Sequence, residues 1–177
     1  MRYLHLLFIL FNMLAPDLHA QLTKPYFQIP TLKTPPVIDG KLSPDEWKNA
    51  ALVTDYEVWT LNAYVPDKVE TRVGYDNKYM YVSFKGFFSD TALFNSTLEE
   101  YKPIDSHLWG RNYFGVQVFN ENTSIEIKAG PSLSKMDFKN GDLAWNGTWE
   151  FAASLNDGDW IGEFKIPFSD KIGRAHV

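Results

Sequence analysis

The sequence predicts an all-β fold: an antiparallel immunoglobulin-like or jelly-roll β-sandwich with one short helix near residues 44–51. Three observations predict it. Residues 69–87 hold two runs in which β-branched and aromatic residues alternate with polar ones, the period of half-buried strands. Similar runs recur at 113–119, 124–129, 149–155 and 160–167, and no segment after residue 51 keeps a helical period. The chain of 177 residues also carries six Trp, nine Tyr and thirteen Phe, a usage that pleated surfaces favour.

Each element follows from local chemistry. Residues 21–36 contain Pro25, Pro30, Pro35 and Pro36, so they read as an extended lead-in that cannot be a central strand. Val37 and Ile38 predict a short strand that ends at the turn Asp39-Gly40. Ser43 as N-cap, Pro44 at the first helical position and Glu46 in capping-box spacing predict the helix. Trp47 on that helix is expected to plug one end of the sandwich. Residues 53–59 predict a strand and 61–68 a loop.

The central hairpin is expected to turn at Asp76-Asn77-Lys78, whose Asp and Asn tolerate turn geometry. Residues 90–110 read as one long loop and 130–147 as a second, polar one. Asn120-Glu121-Asn122 and Asn156-Asp157-Gly158-Asp159 are further turn signals. Trp47, Trp149, Trp160 and Met80 are expected in the core.

Residues 1–20 read as a secretory signal. Arg2 supplies the positive start, residues 4–14 an apolar run too short to span a bilayer, and Ala20 a small residue before a cut near Gln21. The expected location is extracellular or periplasmic, in a bacterium. There is no cysteine, so a disulfide framework and thiolate metal sites are excluded. The net charge of −5, with no cluster of Lys and Arg, argues against a nucleic-acid partner. Residues 172–177 follow neither strand nor helix logic. They are expected to be a non-native tail on a chain that continues, with the last strands of the sandwich missing.

Five segments in order carry a resemblance. They are Pro36-Val37-Ile38-Asp39-Gly40-Lys41-Leu42 with Glu46-Trp47, then residues 73–82 (VGYDNKYMYV), 108–116 (LWGRNYFGV), 145–150 (WNGTWE) and 160–168 (WIGEFKIPF). Over about residues 35–168 the chain resembles the family-nine carbohydrate-binding modules of the DOMON-like superfamily. The resemblance implies a β-sandwich that holds a sugar on an aromatic-lined face, often beside a glycoside hydrolase. It implies that Trp109 stacks on a sugar ring. Asn112 stands where the family usually has Asp, and Gly115 where it has Glu. Glu126 and Lys128 fall where its best-known binders use Arg and Asn.

The residues themselves support a binding face more than catalysis. A pyranose needs a flat aromatic floor and a few placed polar groups. Trp109, Arg111, Asn112 and Tyr113 leave a long loop at the mouth of a strand, and Trp145 in the second loop is a further sugar-binding candidate. Nothing pairs the many carboxylates as a glycosidase requires. His107, Met80 and Met136 are weak haem ligands, with Met80 better explained as core. No cofactor is expected beyond a structural calcium, for which Asp137, Asn140 and Asp142 are candidates and Asp90 with Asp105 alternatives. The expected organisation is a signal at 1–20, the lead-in at 21–36 and an incomplete sandwich at 37–171. The expected partner is an oligo- or polysaccharide.

Overall fold

A computed structural model of the chain describes residues 28–54, 56–58, 63–64, 68–88, 105, 107–109, 111–119, 122–156 and 158–170. The expected leader at 1–20, the tail at 172–177 and most of the loop at 90–110 lie outside the described residues.

Two sheets carry the fold. Strands β1 (Ala51–Val53), β4 (Val69–Tyr75), β5 (Tyr79–Phe87), β9 (Glu150–Asn156) and β10 (Asp159–Pro167) form a five-stranded sheet in the order β1-β4-β5-β10-β9. Strands β6 (Phe114–Phe119), β7 (Ser124–Ala129) and β8 (Lys135–Lys139) form a three-stranded sheet, and β2 (Glu57–Val58) pairs with β3 (Ala63–Tyr64). All these pairings are antiparallel. The central hairpin turns where its polar residues require it. Asp76 accepts the backbone N–H of Lys78 at 2.7 Å and of Tyr79 at 2.8 Å.

The core lies between the two sheets. Val73, Val82, Phe84, Phe164 and Ile166 meet Ile125, Ile127 and Ala129, with Trp149 at the margin. Phe114 links the layers, stacking on Phe84 at 4.7 Å and on Trp160 at 3.9 Å between centroids. Gly162 makes room for it, because a Cβ there would lie 2.8 Å from the Phe114 ring. Burial of these side chains is the main driving force, at about 25 cal/mol per Å² of apolar surface.

The outer face of the five-stranded sheet is covered as well. Tyr81, Val82, Ser83 and Phe84 in β5 are all buried, so both faces of this strand are dry. The lead-in runs along β4, with Leu32 N–H bonded to Tyr75 O at 2.7 Å and Tyr75 N–H to Pro30 O at 3.1 Å. Leu32, Trp47 and Tyr81 form a second apolar cluster beneath it. Glu163, fully buried in β10, fastens the segment that follows the lead-in, from Asp39 to Trp47. It accepts N–H groups from Asp39 at 3.1 Å, Gly40 at 2.8 Å and the Trp47 indole at 2.9 Å. Gly40 has φ +81°, and a Cβ on it would fall 2.7 Å from the Ala153 backbone. No other residue fits that close crossing without strain.

Five local expectations are corrected. The helix α1 is a single turn, Pro44–Trp47, and Ser43 makes no side-chain cap bond. Trp47 is buried, but it covers a sheet face instead of an end, because Glu163 draws its indole N–H inward. Residues 37–38 form no strand, since the lead-in crosses β9 and β10 by side-chain bonds such as Ser154 Oγ–H to Gly40 O at 2.7 Å. The supposed loop at 130–147 contains strand β8, and β3 interrupts the loop at 61–68.

Candidate functional site

The three-stranded sheet has one face in the core and one turned away. In β6, Phe114, Val116 and Val118 pack on the core, so Tyr113, Gly115 and Gln117 face outward. In β7, Ile125, Ile127 and Ala129 point inward, leaving Glu126 and Lys128 on the outer face. The register aligns Lys128 with Gly115 and Met136, and Glu126 with Gln117 and Phe138. Directly paired residues share a face, so Met136 and Phe138 join this outer surface.

Trp109 stands over it, 44% exposed, in the turn closed by Arg111 N–H to Leu108 O at 3.1 Å. Leu108 beside it is fully buried and anchors the turn. His107 meets the Trp109 ring edge-on at 5.0 Å, and Phe138 lies 6.2 Å away. The Lys128 ammonium sits among three rings, 5.2 Å from Trp109, 4.9 Å from Tyr113 and 5.5 Å from Phe138. It also pairs with Glu126 at 2.6 Å, and its side chain is only 6% exposed. A cation enclosed this way gains from each ring face and from the carboxylate together. Gly115 permits the arrangement, since a Cβ would already touch the Tyr113 ring at 3.4 Å and the Lys128 stem at 3.5 Å.

The sequence-predicted site residues separate into two groups. Trp109, Arg111, Asn112 and Tyr113 occupy one turn and the residues that lead into β6, and the structure brings the Trp109 and Tyr113 rings together around Lys128. Trp145 is not among them. It packs against the inter-sheet core, with Lys139 Nζ at 5.6 Å. Lys139 pairs with Ile125, on the core side of β8, so Trp145 and Trp109 flank opposite faces of this sheet. Phe138 was hidden because residues 130–147 read as a polar loop. Its signal was the alternation K-M-D-F-K over 135–139, where lysines and an aspartate happen to take the inward positions.

The metal candidates do not converge. Asn140 Oδ1 accepts the Ser124 N–H at 2.8 Å, and Asp142 Oδ1 accepts the Ala144 N–H at 3.0 Å. Asp137 is buried and its Oδ2 accepts the Trp149 indole N–H at 2.5 Å and the Gly147 N–H at 3.1 Å. Burial pushes its carboxyl above the usual aspartate value, against the pull of those donors and of Lys135. Among the described residues, no group of three or more His, Asp or Glu is placed to hold a metal. Asp90, the partner suggested for Asp105, lies outside the described residues.

No family model matches the chain, and no curated protein matches it in sequence. Solved structures do resemble it. A family-nine carbohydrate-binding module from Caldicellulosiruptor kristjanssonii, in complex with cellotriose, superposes with a TM-score of 0.55 at 14% identity, covering 78% of this chain and 66% of that one. The same organism's module in complex with glucose gives 0.54 at 14% identity, covering 80% and 69%. A protein of Bacteroides uniformis described as carbohydrate-binding gives 0.51 at 11% identity, covering 78% and 70%. The chain therefore has the fold of these modules and spans about two thirds of their length. Among the described residues no helix is long and apolar enough to cross a membrane.

Proposed function

We propose that this protein is a secreted, non-catalytic carbohydrate-binding domain that brings an attached glycoside hydrolase to its polysaccharide. One observation carries the reading. Trp109 is a large, exposed indole held over a sheet face by the enclosed Lys128 ammonium, which pairs with Glu126. The indole supplies the floor for a pyranose, Glu126 and the exposed Arg111 supply an acceptor and a donor for its hydroxyls, and the enclosed Lys128 ammonium holds the platform from beneath. Arg111, Asn112 and Tyr113 are the rim of this site, while the packing of Trp145 gives it a structural role. The fold's similarity to modules solved with cellotriose and glucose supports a sugar as the ligand class. The leader-like residues 1–20 and the lack of cysteine support export.

A second reading has its own observation. The ring faces around Lys128 are already occupied by that ammonium, so the face could serve an envelope protein as a structural or interaction surface without sugar affinity. Calorimetric titration of the full chain, supported by a glycan array, separates the two. Saturable binding that is lost in W109A, with the melting curve unchanged, supports the sugar reading. Absence of binding across the array removes it and leaves the interaction surface.

A further inference from the structure

We propose that the Trp109 face selects sugars bearing a carboxylate, the uronic acids, over their neutral counterparts. The inference rests on the carbohydrate-binding reading above and adds the charge of the ligand. It starts from where Lys128 lies. Its side chain is 6% exposed while Trp109 is 44% exposed, so the ammonium sits on the sheet side of the indole and a ligand meets the other side. A cation held at 5.2 Å draws the negative π-density of that ring toward itself. The face left for the ligand is then poorer in electrons. It is a weaker partner for the slightly positive C–H groups of a neutral pyranose and a better one for electron-rich oxygens.

The neighbouring charges point the same way. Tyr113 and Phe138 are polarised by the same ammonium at 4.9 and 5.5 Å. Glu126 offsets Lys128, but Arg111 is exposed in the same turn as Trp109, and the His107 ring touches the indole edge. Asp105, four residues before Trp109, lines a cavity of about 20 Å³ with Lys135, Asp137, Asn146 and Gly147, away from the platform. Among the described residues, then, this turn and sheet face carry two cationic groups, Lys128 and Arg111, against one anionic group, Glu126, in a chain of net charge −5. A fixed positive surface on an acidic protein favours anionic ligands and discriminates by charge.

The test compares two ligands that differ only at C6. The full chain is titrated with cellotriose and with the β-1,4-linked trisaccharide of glucuronic acid, at low and at high salt. The glucuronate is expected to bind about three- to tenfold more tightly at low salt, with the preference shrinking as the Debye length falls. R111Q, at an exposed position that should leave the melting curve unchanged, is expected to reduce that preference by about two- to fivefold, the range of an exposed ion pair. Equal or tighter binding of cellotriose, or a preference indifferent to both salt and R111Q, overturns the inference while leaving the sugar reading standing. If neither trisaccharide binds, both fall.

Discussion

The outer faces of the two sheets make opposite uses of the same ingredients. On the five-stranded sheet, a carboxylate, an indole and a tyrosine are sealed beneath the lead-in. Glu163 is fully buried and holds three N–H donors, one of them from Trp47. On the three-stranded sheet, a carboxylate, an indole and a tyrosine stay at the surface, and Lys128 takes the central place that Glu163 has on the other side. The closed face holds a negative charge among donors supplied by distant backbone. The open face holds a positive charge among rings supplied by its own sheet and one turn. A face becomes structural when another segment contributes the partners, and available when its own strands supply them.

Asp137 falls between these cases and sharpens the contrast. Like Glu163 it is a buried carboxylate gripped by a tryptophan. Both oxygens of Glu163 accept bonds, whereas among the described residues Oδ1 of Asp137 has no hydrogen-bond partner. In both, burial pushes the carboxyl above its ordinary value, opposed by the donors that each holds.

The largest expected effect breaks the closed face. E163Q must turn its amide toward a backbone or indole donor, whichever oxygen it replaces. Leaving that clash or an unsatisfied donor in a dry site should cost about 3 kcal/mol in urea unfolding. A loss below about 1 kcal/mol, the scale of one ordinary hydrogen bond, would mean the lead-in is not fastened there.

The next effect is on the open face. K128M removes the cation from three rings and strands Glu126, and about 2 kcal/mol of stability should go with it. The Trp109 fluorescence should also shift as the ring loses its anchor. An unchanged spectrum would show that Lys128 does not orient the indole.

D137N should be milder. Its carbonyl can keep the Trp149 and Gly147 donors at the Oδ2 position, and its NH₂ can occupy the side where Oδ1 has none. The change should stay within about 1 kcal/mol of the parent, against the larger loss in E163Q. Equal losses in the two variants would erase the distinction drawn between the sites.

The pH dependence of D137N supplies a smaller, signed test. A raised folded pKa means the folded chain keeps a proton that the unfolded chain has released. That contribution is fully present below the unfolded aspartate value and is lost as pH rises through the folded one. The parent should therefore gain stability over D137N as pH is lowered through this interval. A difference independent of pH would contradict the raised value.

W109A should change stability least, by about 0.5 kcal/mol, the scale of one cation–π contact at an exposed site, while abolishing the proposed sugar binding. A large loss of stability would make Trp109 a cover for the core and not a platform.

Much of this was legible in the chain. The alternation placed strands β4, β5, β6, β7 and β10 and the inward faces of β6 and β7, and Asp76 the hairpin turn, but β5, read as half-buried, is dry on both faces because the lead-in and Trp47 cover its outer side. The buried indoles Trp47, Trp149 and Trp160 were legible as core, and Trp109 and Tyr113 as exposed rings. Strand β8 was not, because its inward positions hold Lys135, Asp137 and Lys139, whose partners are the distant Trp149, Trp145 and Asp170. The helix was overestimated because capping signals describe a start, and α1 stops after one turn. Trp145 was grouped with Trp109 because both lie in loops, and loop membership does not say on which side of a sheet a ring will fall.

By itself the sequence determined which residues alternate, where the chain must turn and that flat rings are abundant, because these depend on neighbours along the backbone. Only the tertiary structure decided which outer face is covered and which is left open. That choice depends on where the proline-rich lead-in crosses the sheet, and it is set by donors of Asp39, Gly40 and Trp47 that reach Glu163 across more than a hundred residues.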